Sequence, residues 1–282
     1  MSDDHSPPPG QAVPQGAAPG GQGDDANIAN GARIYDYLLG GKNNYVADRV
    51  AADRMIAENP GAPVTAKANR AFLGRAVRFL VEEAGIRQFL DVGAGLPTQQ
   101  NVHEVAQRSA PDARVVYVDH DPVVVAHGQA LLATSDAVTV IQADARRPAD
   151  ILDHPETCRL IDFSEPVAVL LVAVLHFVSD EEDPDGILAR FAEVMAPGSH
   201  LAISHTVGES PAQVMAAAQR GFQGTGALLT PRTRPELRRF FQGFDILEPG
   251  LVRVAEWRPT IPPPPSSGNS PWVIVGGVGR KR

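Results

Sequence analysis

The chain has 282 residues, 43% of them hydrophobic, a single cysteine and a formal net charge of −8. That length and apolar content suffice for one large buried core, so a single domain is expected. The acidic balance excludes a general nucleic-acid binder, whose affinity rests on phosphate contacts, and no apolar run is long enough to span a bilayer.

Residues 1–26 are rich in Pro, Gly and Gln with scarcely an aliphatic side chain, so they cannot offset the entropy of ordering and are predicted to be disordered. They lack the basic start and apolar centre of a signal peptide. A helix over 28–39 follows, with Ile34, Tyr35, Leu38 and Leu39 as its stripe and Gly40-Gly41 as its stop. A second helix is predicted over about 45–58. The next, 65–84, is amphipathic: Phe72, Leu73, Ala76, Val77, Leu80 and Val81 face the core, Gly85 ends it, and Arg70, Arg75 and Arg78 fall off the stripe toward solvent.

The run Phe89-Leu90-Asp91-Val92-Gly93-Ala94-Gly95 is a short apolar strand breaking into Gly-x-Gly. Such a turn lets backbone approach a ligand where a Cβ would collide, and the helix that follows offers free N–H groups. Val115-Val116-Tyr117-Val118-Asp119 is the next strand, and its terminal acid suits a ribose diol at close to the roughly 20-residue interval expected of a βαβ unit. Thr98 stands where a dinucleotide fingerprint needs its third glycine, which argues against NAD. S-adenosylmethionine has no pyrophosphate and carries positive charges that suit Asp91, so it is the expected cofactor, held by Asp91, Gly93, Ala94, Gly95 and Asp119. His120 is placed to pack on the adenine. Asp121-Pro122 reads as the N-cap and first turn of a helix. His103 and Glu104 point about 100° apart on their helix and make no paired site.

Further strands are predicted at 138–145, 167–175 and 201–205, the second apolar throughout as a strand covered on both faces should be. Cys158, between them, is placed in a polar loop and suits a reducing cytoplasm. His176 and His205 are the candidate bases for methyl transfer, each ending an apolar strand at the carboxyl edge where such sheets bind ligands; the alternative is that they tie strand ends together. Asp36 and the tyrosines beside it are second candidates. Arg232, Arg234, Arg238 and Arg239 flank a helix opened by the capping box Thr233-x-x-Glu236 and read as a solvated face. Runs at 244–247 and 272–277, with no long helix between them, are expected to pair as an antiparallel, hairpin-like edge. No Cys/His cluster or His-Glu-x-x-His spacing is present, so no metal is expected.

Asp91-Val-Gly-Ala-Gly, Asp119, Asp144 and the C-terminal strand pair resemble a class I S-adenosylmethionine-dependent methyltransferase. Arg33-Ile-Tyr-Asp-Tyr-Leu-Leu-Gly-Gly-Lys-Asn-Asn-Tyr45, Ala68-Asn-Arg-Ala-Phe-Leu73, Asn101-Val-His-Glu-Val-Ala-Gln107, Val172-Ala-Val-Leu-His-Phe177 and Glu248-Pro-Gly-Leu-Val252 are similar to a bacterial S-adenosyl-methyltransferase family long catalogued as a domain of unknown function. The resemblance implies a Rossmann-like, doubly wound α/β fold: a seven-stranded sheet with an antiparallel C-terminal strand (65–282) and an N-terminal helical lid (27–64). It implies that Asp144, with Ala145, meets the adenine amino group. The loop Gly40-Gly-Lys-Asn-Asn-Tyr45 combines two glycine hinges, a cation and two amides, and is expected to cover the methionine end of the cofactor, with Lys42 facing its carboxylate and Tyr37 or Tyr45 flanking the sulfonium. The plainer reading of that loop is an interhelical turn.

Two function classes remain: a cytoplasmic methyltransferase acting on a small molecule, and a protein that binds S-adenosylmethionine or S-adenosylhomocysteine without catalysis. A nicotinamide oxidoreductase is disfavoured by the missing glycine. An acid–base pair beside the methyl would mark the first, a closed site with no room for a second ligand the second.

Overall fold

The computed structural model describes residues 27–97, 100–132, 135–225, 227–259 and 272–282, so the segment expected to be disordered, 1–26, lies outside the described residues. Three helices come first: α1 (Gly31–Leu39), α2 (Val46–Glu58) and α3 (Ala62–Glu82). Their ends have local causes. Asn30 caps α1 by accepting from the Ala32 and Arg33 N–H groups, and Gly40 closes it at φ 87°. At the start of α2 the Asp48 carboxylate accepts the Tyr45 N–H at 2.7 Å. Helix α3 begins at Ala62 rather than the expected 65 because Pro63 fits the first turn, where its missing N–H has no intrahelical partner to lose.

Strands and helices then follow as β1 (Gln88–Val92), α4 (Val102–Ser109), β2 (Arg114–Asp119), α5 (Pro122–Leu131), β3 (Val138–Gln142), α6 (Pro148–Leu152), α7 (Pro155–Leu160) and β4 (Ala168–Val172). They continue as α8 (Pro184–Val194), β5 (His200–Thr206), α9 (Ala212–Gly221), α10 (Arg234–Arg239), β6 (Phe244–Ile246), β7 (Val252–Arg253) and β8 (Ile274–Lys281). The sheet order is β3-β2-β1-β4-β5-β8-β6, and β7 also pairs with β8. The first five strands are parallel, while β8 runs antiparallel to β5 and to β6.

This is the expected α/β sheet with an antiparallel C-terminal strand, plus a two-residue eighth strand. The last pair differs from a hairpin edge. Strand β8 is internal, and β6 is the edge, with Phe244 opposite Lys281. Along β1, β2 and β4 alternate residues enter two cores: Leu90, Val116, Val118, Val169 and Leu171 face α6, α7, α8 and α10, while Phe89, Val115, Tyr117, Ala168 and Leu170 face α3, α4 and α5. A third cluster, with Ile34, Leu38, Met55, Ala66, Met215 and Trp272, joins α1, α2 and α9 to the start of α3. Helix α3 therefore belongs to both the N-terminal helical layer and the sheet packing, and the expected division at residue 64/65 cuts through it.

Several expected bounds shift. Strand β4 stops at Val172, not 175, because Ala173 turns to φ 61° and its N–H goes to Ser204 Oγ at 2.9 Å; residues Leu175–Phe177 then form a 3₁₀ turn. Strand β3 stops at Gln142, since Asp144 accepts the Arg146 N–H and begins a turn. Cys158 lies on α7, exposed, rather than in a loop. Among the described residues no helix is long and apolar enough to cross a membrane.

Candidate functional site

The carboxyl ends of β1, β2, β4 and β5 meet along one edge of the sheet, the side on which open α/β sheets take ligands. At the end of β1 the chain turns through Gly93 (φ 72°) and Gly95 (φ 67°), conformations that side chains rarely adopt. The turn is laid on β2: the Gly93 and Ala94 N–H groups both donate to Val118 O, at 2.8 and 3.0 Å. A Cβ on Gly93 would lie 2.5 Å from the Val174 side chain, so the loop and the turn after β4 are in direct contact.

Asp119 ends β2, 6% exposed. Its Oδ2 accepts the Gly95 N–H at 2.9 Å and its Oδ1 the Asp121 N–H at 3.0 Å. Two backbone donors thus fix the carboxylate, and each oxygen keeps a lone pair for a ligand hydroxyl. Burial raises its pKa, against those two hydrogen bonds. Asp91, 4% exposed, accepts no hydrogen bond from any described residue. Burial, with the Asp119 charge adding to it and Arg70 opposing it, pushes the Asp91 carboxyl up to about 7. A buried acid with no donor among the described residues, beside a glycine turn and next to a second acid with lone pairs free for hydroxyls, fits an ammonium and ribose such as S-adenosylmethionine presents.

His120 follows with its ring exposed and Nδ1 3.5 Å from Asp119 Oδ1. Asp144 follows the end of β3, half-buried. Burial would raise its pKa, but the paired hydrogen bonds from Arg146, itself bridged to Glu182 at 2.8 Å, hold it below the usual carboxylate value. Ala145 packs half-buried on the first core. Asp121 is the N-cap of α5, with Pro122 in its first turn, as its residues suggested.

The two candidate histidines sit together. His176 is on the 3₁₀ turn after β4 rather than at a strand end, and its ring lies 5.5 Å from that of His205 in β5. His205 is fully buried and both ring nitrogens are engaged: Nδ1 lies 2.7 Å from Thr206 O and Nε2 3.1 Å from Arg232 Nη1. Because the guanidinium only donates, Nε2 must accept and Nδ1 must carry the proton, a neutral tautomer with no lone pair to spare. Burial, with Arg232 adding to it, lowers the His205 pKa to about 4. This geometry engages His205 within the protein, the arrangement of a residue that ties strand ends together. His176 Nδ1 is buried without a partner, and burial, with His205 and Arg232 adding to it, depresses its pKa well below the ordinary value.

Arg232 departs from the solvated face expected of it. It is 5% exposed and donates to Leu175 O, Val178 O and Asp180 Oδ1 at 2.7–2.9 Å. Arg75 likewise turns inward, donating through Nε to Trp257 O at 2.8 Å, and Arg70 reaches Gln100 O and Asn101 Oδ1 beside the glycine loop.

Asp36 is also committed. The 40–45 loop wraps around it, with the Asn43 N–H at 2.9 Å and Asn44 Nδ2 at 2.8 Å on Oδ2, and a Cβ on Gly41 would come within 2.0 Å of Oδ1. The carboxylate thereby holds the loop. Tyr37 OH donates to Asp53 Oδ1 at 3.0 Å, Lys42 is exposed, and Tyr45 is half exposed with the Arg33 guanidinium 4.9 Å from its ring centre.

One buried network was not anticipated from the residues. Tyr35 OH accepts from Asn69 Nδ2 at 2.9 Å, Ser204 Oγ donates to Asn69 Oδ1 at 2.6 Å, and Ser204 Oγ accepts the Ala173 N–H. It links α1 through α3 to the turn that carries His176. The available signal was a polar Asn69 inside an apolar stripe and Ser204 within an apolar strand.

A family model described as S-adenosyl methyltransferase matches residues 21–282. A candidate methyltransferase of Thermobifida fusca YX is 44% identical with a TM-score of 0.85, over 91% of this chain and 96% of that one. A DUF574 family protein of Streptomyces avermitilis MA-4680 is 42% identical with a TM-score of 0.86, over 92% of this chain and 99% of that one. No protein of curated function matches the sequence. With the family model spanning nearly the whole chain and the glycine turn, Asp91 and Asp119 in place, this chain belongs to the S-adenosyl methyltransferase family.

Proposed function

We propose that the protein transfers the methyl group of S-adenosylmethionine to a small-molecule acceptor seated between the ends of β4 and β5 and the α1–α2 helical layer. The bound sulfonium supplies an electrophilic methyl and a good leaving group, so the chain's task is positioning and the exclusion of water. Asp119 takes the ribose hydroxyls, Asp91 the ammonium, and Asp144 and His120 the adenine. In this reading His176 is the residue nearest a proton-accepting role, because its Nδ1, unlike either ring nitrogen of His205, has no hydrogen-bond partner among the described residues. His205, itself held by Arg232, packs edge-on against it. The 40–45 loop, with Lys42, Tyr37 and Tyr45, covers the methionine end, and a net charge of −8 disfavours a nucleic-acid acceptor.

The observation that carries the cofactor assignment is Asp91, buried and with no hydrogen-bond donor among the described residues, beside the Gly93–Gly95 turn. Calorimetric titration should show binding of S-adenosylmethionine and S-adenosylhomocysteine and no heat from NADH; comparable NADH affinity would overturn it. Incubation with a small-molecule extract and methyl-labelled cofactor should move label into compounds of low mass. A non-catalytic binder is the second reading, favoured by the engagement of His205 and Asp36 within the protein. It predicts tight binding with the label remaining on the cofactor.

A further inference from the structure

The α1–α2 layer is tied to the ribose-binding acid through one side chain that the proposed reaction does not use. Asn30 divides its amide between two partners: Oδ1 accepts the Ala32 and Arg33 N–H groups at 2.8 and 3.2 Å, and Nδ2 donates to Asp121 Oδ2. Asp121 is divided in the same way. Its Oδ1 caps α5 through the Val123 and Val124 N–H groups, and its own N–H donates to Asp119 Oδ1 at 3.0 Å. On the other side, the Asn30 N–H donates to Asp48 Oδ1 at 2.8 Å. Asp48, fully buried, pairs through Oδ2 with Arg33 Nε at 2.8 Å and accepts the Tyr45 N–H that opens α2. An unbroken chain of hydrogen bonds therefore runs from Asp119 through Asp121 and Asn30 to the first turns of both helices.

We propose that Asn30 is a positioning residue that couples docking of the α1–α2 layer to cofactor binding at Asp119. The inference rests on the cofactor reading above and adds to it the route by which the helical layer senses an occupied site. Only asparagine serves both ends here: its carbonyl oxygen satisfies helix N–H groups while its amide meets a carboxylate. An aspartate would set two negative charges against each other, and a serine would cap α1 without reaching across. By linkage, a bridge present only when the layer is docked raises cofactor affinity, and bound cofactor holds the layer down to the same degree.

The full chain carrying Asn30→Ser keeps an N-cap on α1 and loses the bridge; Asp121→Ser does the same for α5. Each should weaken S-adenosylhomocysteine binding in calorimetry by about tenfold. The double variant should bind no more weakly than either single one, because both remove the same bridge. Hydrogen exchange over residues 31–58 should slow on adding S-adenosylhomocysteine in the wild type and stay unchanged in Asn30→Ser, a difference that loss of fold stability alone does not produce. Wild-type affinity and protection in both serine variants, or losses that multiply in the double variant, would overturn the coupling while leaving the cofactor site intact. Failure of the wild type to bind S-adenosylhomocysteine would remove the cofactor reading itself, and the coupling with it.

Discussion

Asp91 and Asp119 are neighbouring buried acids whose charges are unfavourable until a cation or hydroxyls arrive. With a pKa near 7 against an ordinary 3.8, Asp91 keeps a proton in the folded chain that the unfolded chain releases. A raised pKa contributes stability that is fully present below about pH 4 and is lost as pH rises through about 7. Asp91→Asn should therefore flatten that loss and, without cofactor, stabilise the protein at pH 7.5 by on the order of 2–4 kcal/mol in urea unfolding. The comparison must be variant against wild type, because His200 and His205, both lowered to about 4 by burial first of all, act with opposite sign over the same acid range. Asp119→Ala should weaken cofactor binding by about 1.5–3 kcal/mol, the range for hydrogen bonds to a charged group, in calorimetric titration. The glycine turn and Asp119 were legible in the sequence because both lie at strand ends within one βαβ unit. Arg232 was not, since the carbonyls and the His205 nitrogen that bury it come from segments far off in sequence.

At the scale of elements, α3 has more to hold than its apolar stripe shows. Asn69, 1% exposed, serves Ser204 and Tyr35 at once, and Asn69→Ala would leave the buried Ser204 O–H without its acceptor, while Tyr35 OH keeps its own donation to Ala66 O at 3.1 Å. We expect a loss of about 1–3 kcal/mol in denaturant unfolding, the range for one buried polar group left unpaired. The 40–45 loop belongs to this scale too: Lys42→Ala should weaken cofactor binding without changing the melting temperature if the loop covers the methionine end, and equal affinity would make it an interhelical turn. Helix ends were readable because caps are local: Gly40 after α1, Asp121-Pro122 before α5 and Thr233 with Glu236 at α10 all lie where their residues place them. The end of β4 was not. Ala173 leaves the sheet for Ser204 Oγ, and an apolar run gives no sign of a hydrogen bond supplied by another strand.

Across the whole molecule, the sheet could be anticipated because strands whose alternate residues enter two cores read as short continuous apolar runs, and helices must cover both faces of five parallel strands. The third cluster mixes residues of α1, α2, α3, α9 and the Trp272 region, a combination no single periodicity reports. The position of β8 has a further consequence, for synthesis. Strands β6 and β7 join the sheet only through β8, and β5 has β8 as its outer neighbour. While a ribosome is still making residues 260–273, the five parallel strands can already assemble, but β5 presents a bare edge and β6 and β7 have nothing to pair with. An unpaired edge of this kind invites other chains. The sheet can close only when residues 274–281 are available to it, so full chains and chains truncated just before β8 should differ sharply in protease resistance, although only a few residues separate them.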